Sequence, residues 1–246
     1  MKLLVINPNT TQAMTDSILE MARRNAHSNT TITALSPEYG PRSIEGHFEE
    51  TIAALATVET VAIHRDQYDG FVIACFGDPG VAACREITDK PVIGIAAAAM
   101  HMACFLGHKF SIVTVMRRAQ PFMEDLVRQN GLEAKCASIR YTDLSVLDLD
   151  ADPRRAGRDL AEAAKQAVAQ DGAEVICLGC AGMGLLDEQI RSVVGVPVVD
   201  GVVAGVKVAE ALHSARLRTS KVAAYAWPES KELVRCSPTL IRAAHR

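Results

Sequence analysis

What the chain does without narrows its role. It carries 26 basic and 29 acidic residues, a net charge of −3. That leaves no basic surplus of the kind that tracks a nucleic-acid backbone. No apolar run approaches the roughly 18 residues a membrane helix needs, and the longest clean stretch, Pro91 to Met100, falls well short. The start passes from Lys2 straight into Leu3-Leu4-Val5-Ile6, without the charged region, long apolar region and cleavage site of a secretory leader. Seven cysteines in such a chain are expected to be reduced thiols of a cytoplasmic protein rather than a disulfide framework. Cys177 and Cys180 form one C-x-x-C, but there is no second one and no H-x-x-x-H, so the spacing predicts no metal site. No Gly-Lys-Ser/Thr occurs, and Gly179-Cys180-Ala181-Gly182-Met183-Gly184 lacks the G-x-G-x-x-G order, which leaves no phosphate cradle. No Gly/Ser tract marks a linker.

What is there has the make-up of an ordinary globular protein. Residues of the AVILMFWYC set make up 49% of the chain and charged residues 22%, and 246 residues are enough to bury a sizeable core. Short apolar runs alternate with helical patterns. The runs predict strands at 3–6, 31–35, 71–75, 92–95, 110–115, about 134–140, 174–179 and 196–199. Between them, helices are expected from Thr10-Thr11, as a capping pair, to about Arg24, and over 47–65, 80–87, 117–130, 152–169, 184–193 and 202–215. Such alternation predicts parallel sheets with helices on both faces. The last stretch, Thr219 to Arg246, is the least regular and reads as a strand or loop and a last helix covering the core.

The chain also repeats itself. Lys2-Leu3-Leu4-Val5-Ile6 returns as Lys109-Phe110-Ser111-Ile112-Val113, Phe71-Val72-Ile73-Ala74-Cys75 as Ile176-Cys177-Leu178-Gly179-Cys180, and Pro91-Val92-Ile93 as Pro197-Val198-Val199. The offsets agree within two residues, as an old duplication with small loop indels leaves them. The expected fold is α/β with two pseudo-symmetric lobes, each a short, mainly parallel sheet flanked by helices, and the site in the cleft between them. Residues 1–97 with about 207–246 would form the lobe carrying Cys75, and 98–206 the lobe carrying Cys180.

Those two cysteines are where chemistry is expected. A cysteine at a strand end ordinarily packs as a small hydrophobe. Two at matching places in a repeat, each before a glycine-containing turn into a helix, are better read as a functional pair. Ligands of parallel sheets bind at the carboxyl ends of the strands, and the helix that follows favours a thiolate over its free pKa of roughly 8.5. Two opposed thiols suit one reaction: one removes a proton from carbon, the other returns one to the opposite face, and the carbon inverts without a cofactor. Backbone N–H groups of the glycine turns would hold the developing enolate oxygen. Cys84, Cys104, Cys136 and Cys236 lack such matching and read as packing or surface residues, and Cys177 lies inside its strand, which argues against a redox pair. The Asn7-Pro8-Asn9-Thr10-Thr11 loop either caps a helix or faces substrate. Ser43-Ile44-Glu45-Gly46-His47 reads as an entrance segment, with Glu45 and His47 as solvated or capping groups.

Val5-Ile6-Asn7-Pro8-Asn9-Thr10, Ser43-Ile44-Glu45-Gly46-His47, Ala74-Cys75-Phe76-Gly77-Asp78-Pro79-Gly80 and Leu178-Gly179-Cys180-Ala181-Gly182-Met183 together resemble the hydantoin and allantoin racemases of the Asp/Glu/hydantoin racemase family. The resemblance implies two lobes, two catalytic cysteines, Cys75 and Cys180, and no cofactor. It implies substrate contacts from Asn9, Ile44, Phe76, Gly77, Thr114, Ala181 and Gly182, a small cyclic ureide as substrate, and a homo-oligomer. The amino-acid racemase branch places Asn-Thr after the first cysteine and Thr after the second, where they hold a carboxylate and an ammonium. Phe76-Gly77 and Ala181-Gly182 replace them here, which suits a neutral ureide, with a 5-monosubstituted hydantoin expected first and allantoin second. An amino-acid racemase, a fold-mate with one working cysteine, and a two-lobed binding protein without chemistry are the other readings.

Overall fold

A computed structural model describes residues 1–244, with the backbone alone at 150, 184, 185 and 244. Its first strands and helices are β1 (Lys2–Ile6), α1 (Gln12–Asn25), β2 (Thr31–Leu35), α2 (His47–His64), β3 (Gly70–Ile73), α3 (Val81–Ile87), β4 (Val92–Gly94) and α4 (Ile95–Ala103). The second series is β5 (Phe110–Thr114), α5 (Gln120–Gln129), β6 (Cys136–Tyr141), α6 (Asp148–Ala151), α7 (Pro153–Asp171), β7 (Val175–Leu178), α8 (Asp187–Val194), β8 (Val198–Val199) and α9 (Gly201–Ser214), and α10 (Pro238–Ala244) is the last described element. The strands build two four-stranded sheets, β2-β1-β3-β4 and β6-β5-β7-β8. Every pairing is parallel. The α/β architecture with two like lobes is therefore as the alternating runs imply.

The central strands β1, β3, β5 and β7 are buried along almost their whole length. A strand covered on both faces has no polar side to alternate with, which is why each reads as an unbroken apolar run. The edge strand β6 is half-buried throughout. Alternation along β1 and β3 sorts side chains to opposite faces. Leu3, Val5 and Val72 join a core that continues through both lobes, whereas Leu4, Ile6, Phe71 and Ile73 form a separate cluster on the outer face.

Several boundaries differ from those the sequence predicts. The apolar stretch from Pro91 divides into a strand ending at Gly94 and the helix α4 beginning at Ile95, because a parallel edge strand needs few residues and alanines propagate a helix well. The helix expected over 117–130 opens with a 3-10 turn at Arg117–Ala119 and becomes regular at Gln120, where Pro121 sets the first turn. A 3-10 segment over Ala181–Leu186 likewise precedes α8. Residues 216–237 form no strand among the described residues, only a 3-10 turn at Ala223–Tyr225. This tail is tied to the first lobe by Thr219, whose N–H reaches the Asp89 carbonyl at 2.9 Å, and by Lys221, whose ammonium donates to the Glu86 carbonyl at 3.1 Å. No described helix is long and apolar enough to cross a membrane.

The two lobes exchange helices. α4 follows β4 of the first sheet but packs on β7 and β8 of the second, and α9 follows β8 but packs on β3 and β4 of the first. α4 and α9 also pack on each other, so the two lobes share a helical pair.

Candidate active site

In each sheet the strand order reverses between the first and third strands, β1 and β3 or β5 and β7. The carboxyl ends at such a reversal open a crevice. The backbone leaves both central strands in the same way. Ala74 N–H donates to the Ile6 carbonyl at 2.7 Å, and Gly179 N–H donates to the Val113 carbonyl at 2.8 Å. The next residues are Cys75 and Cys180. Their carbonyls each accept an N–H from three residues ahead, Asp78 at 2.9 Å and Met183 at 3.2 Å. The match in sequence is thus a match in hydrogen bonding.

Both half-buried thiols line one cleft of about 630 Å³ including its mouth. Asn9, Ile44, Phe76, Gly77, Thr114 and Ala181 line it with them. Gly182 stands beside Cys180: a Cβ built on it would lie 3.8 Å from the Cys180 sulfur, just as one on Gly77 would lie 3.7 Å from the Cys75 sulfur. Each thiol therefore faces bare backbone two residues ahead. All nine candidate residues are brought to one place.

The sequence does not single out the apolar wall. Met14, Val115, Met116, Phe122, Met123 and Val146 fill most of the remaining lining. Glu45 is the one charged side chain among the described lining residues. The wall residues sit on helix and loop faces whose apolar pattern is indistinguishable from core packing.

Asn9 is prepared for hydrogen bonding. Its side-chain carbonyl accepts from Asn7 Nδ2 and from Thr11 N–H, both at 2.9 Å. The NH2 group is left facing the Met14 thioether at 3.1 Å, a weak acceptor. Thr114 is less available, since its hydroxyl leans on the Gly179 carbonyl at 3.4 Å. The expected capping by Thr10 and Thr11 is replaced by another role. Thr11 occupies the cap position without a side-chain cap bond. Its hydroxyl donates to Arg42 O at 2.7 Å, and Thr10 holds Pro41 O through both N–H and hydroxyl. The pair pins the entrance segment that carries Ile44. His47 begins α2, pairs with Glu50 at 3.6 Å and meets the Phe122 ring edge-on.

The electrostatics of Cys75 overturn the expectation of a stabilised thiolate. Burial pushes the Cys75 thiol up to about 12, against a hydrogen bond from Gly77 N–H that favours ionisation. Negative charge on Cys180, Asp78 or Glu50 raises it further. Desolvation outweighs the helix-end field because the charged form loses more water than one N–H restores. The mutual effect of the two sulfurs also opposes their joint ionisation. Gly77 N–H is thereby engaged by sulfur, which removes it from the donors expected for an enolate oxygen.

Asp78 holds this turn to α4. Its backbone is left-handed, with φ 50°, and its carboxylate accepts Ala96 N–H at 3.0 Å and Ala97 N–H at 2.9 Å. Burial raises its pKa from 3.8 to about 6 despite those two bonds. No group of three or more potential metal-ligating side chains occurs among the described residues.

Two like α/β lobes closing on a thiol-bearing cleft define the fold class, and comparison with known proteins gives the family. The family model for Asp/Glu/hydantoin racemases matches residues 3–209. A hydantoin racemase from a Pseudomonas species is 46% identical over 235 residues, covering 95% of this chain and 94% of its own. The structure of allantoin racemase from Pseudomonas fluorescens superposes with a TM-score of 0.93 at 43% identity, covering 95% of this chain and 100% of its own. That of Klebsiella pneumoniae allantoin racemase gives 0.92 at 44% identity, over 95% of this chain and 96% of its own. The chain belongs to the Asp/Glu/hydantoin racemase family. It is an isomerase of the racemase type.

Proposed function

We propose that this racemase inverts carbon 5 of 5-monosubstituted hydantoins with Cys75 and Cys180 as its two acid–base groups. The observation that carries the reading is the pair of cysteines at equivalent turns of equivalent sheets in one apolar cleft. One sulfur, as thiolate, takes the C5 proton and becomes a thiol. The electron pair passes into the ring as an enolate on the C4 oxygen. The opposite thiol then gives its proton to the other face of C5 and is left as the thiolate. Atoms and charge balance without a cofactor, and the enzyme ends each turnover with its protonation states exchanged. Burial that disfavours the Cys75 thiolate makes it a stronger base once formed, at the cost of its population. Asn9 Nδ2, facing only a thioether, is the donor we assign to a ureide carbonyl.

The lining also argues for the substrate class. A zwitterionic amino acid would need charged partners, and a cleft walled by methionine and phenylalanine offers Glu45 alone among the described residues. A neutral ring with an apolar 5-substituent meets no such penalty. Allantoin is the second reading, supported by the allantoin racemase structures.

Single-enantiomer 5-benzylhydantoin and single-enantiomer allantoin, each followed by optical rotation in deuterium oxide, test both. Decay of rotation with deuterium at C5, faster for the benzyl compound, is expected. Faster decay of allantoin would move the assignment to it, and no decay above the spontaneous rate for either would overturn the ureide reading.

A further inference from the structure

A second cavity, of about 890 Å³ counting its open side, adjoins the cleft. Its lining is mostly polar, with Glu50, Arg85, Asp125, Gln129, Asn130 and Tyr225 among its walls. Gly77 and Phe122 line both spaces. Phe122 projects from α5 of the second lobe onto the Cys75 turn of the first. A Cβ on Gly77 would stand 2.5 Å from Phe122 Cζ, so the ring rests directly on bare backbone. The other side of the ring meets His47, 5.6 Å between centroids and 69° between planes. An apolar reaction chamber and a polar space are thus divided by one aromatic ring.

The charged groups behind the ring already have partners within the protein: Asp125 pairs with Arg128, and the Asp78 carboxylate accepts two N–H groups of α4. Arg85 is engaged by the Val92 carbonyl at 3.1 Å and the Tyr225 hydroxyl at 3.2 Å, and Glu50 by His47. Asn130, also in the cavity wall, donates from Nδ2 to the Leu126 carbonyl at 2.9 Å. Such a mixture favours a neutral donor–acceptor group over a net charge.

We propose that Phe122 is the residue that sets which 5-substituents the enzyme accepts, and that the cavity behind it is a latent subsite for a neutral, amide-like tail. The proposal rests on the hydantoin reading. The ring ends the space beside Cys75, so apolar substituents pack against it, and tails that need hydrogen bonds are kept from their partners.

The test compares kcat/KM for racemisation of 5-isobutylhydantoin and 5-(3-ureidopropyl)hydantoin by the wild type, Phe122→Ala and Phe122→Leu. Phe122→Ala is expected to raise the ureidopropyl-to-isobutyl ratio about tenfold, mostly through KM, within the range by which pocket contacts discriminate substrates. Phe122→Leu keeps apolar bulk on α5 without reaching Gly77. It carries the same sign with a smaller shift, so the ratio remains readable if Phe122→Ala does not fold. Adding Gln129→Ala and Asn130→Ala to the better folded variant is expected to reverse the gain. An unchanged ratio in the folded variants, with isobutylhydantoin still racemised by the wild type, overturns the partition alone. A wild type that racemises neither compound overturns the hydantoin reading and this subsite with it.

Discussion

The start of α4 and the start of α9 solve one problem in two ways, and exchanging the solutions is a quantitative test. Both helices follow the last strand of their sheet. At α9 the cap position is Asp200, whose Oδ1 accepts Val203 N–H at 2.8 Å. At α4 the equivalent position is Gly94, and the carboxylate comes instead from Asp78, accepting Ala96 and Ala97 N–H. A Cβ on Gly94 would land within the Asp78 carboxylate. Asp78→Gly strips two buried N–H groups of their acceptor. At about 1.5–3 kcal/mol for each bond to a charged group, the loss of both is about 3–6 kcal/mol. Gly94→Asp alone forces a second carboxylate into the first and costs about 3 kcal/mol or more. In the double variant, Asp at 94 can reach Ala97 N–H as Asp200 reaches Val203 N–H. It should lie within about 1–2 kcal/mol of the wild type, the range of an ordinary helix cap. Urea denaturation of the four proteins followed by circular dichroism at pH 7.5 gives the coupling energy. A double variant as unstable as the two single losses added together would refute the equivalence of the two helix starts.

Other outcomes follow from the same geometry. Cys75→Ala and Cys180→Ala are each expected to reduce racemisation to below about 1% of wild type while retaining C5 deuterium exchange of one enantiomer, a different one for each, by NMR. Full racemisation by either would end the two-thiol mechanism. The pH dependence of stability has a defined sign. Asp78 and Asp200 are buried carboxyls whose pKa values rise from 3.8 to about 6 on folding. The folded state therefore holds protons the unfolded state has lost, and these two groups make stability fall as pH rises from about 4 to 6. At about 1.4 kcal/mol per unit, each contributes at most about 3 kcal/mol to that fall. Asp200→Asn should flatten the urea midpoint across this window, and an undiminished slope would contradict the assignment.

The parallel strands were legible because burial on both faces leaves no polar alternation to obscure an apolar run, as at Phe71–Ile73 and Val175–Leu178. The two cysteines were legible because the repeat places them one residue beyond equivalent backbone bonds. Other parts of the site carry no local signal. Phe122 and Met123 belong to an amphipathic helix, and nothing in its period tells a cleft wall from a core. Asp78 caps a helix that begins well downstream, beyond another helix and a strand, so no capping motif records it. The pKa of Cys75 escaped because proximity to a helix start is visible in sequence, whereas the depth of burial that outweighs it is a property of the assembled lobes.

The exchange of α4 and α9 bears on how such a chain could arise. A half-length chain ending after its fourth strand's helix would send that helix away from its own sheet, leaving β3 and β4 to be covered from elsewhere. It could bury that surface only against a second copy offering the same helix in return. Joined in one chain, the two halves supply that cover to each other, and the sulfur-bearing turns sit at equivalent strand ends.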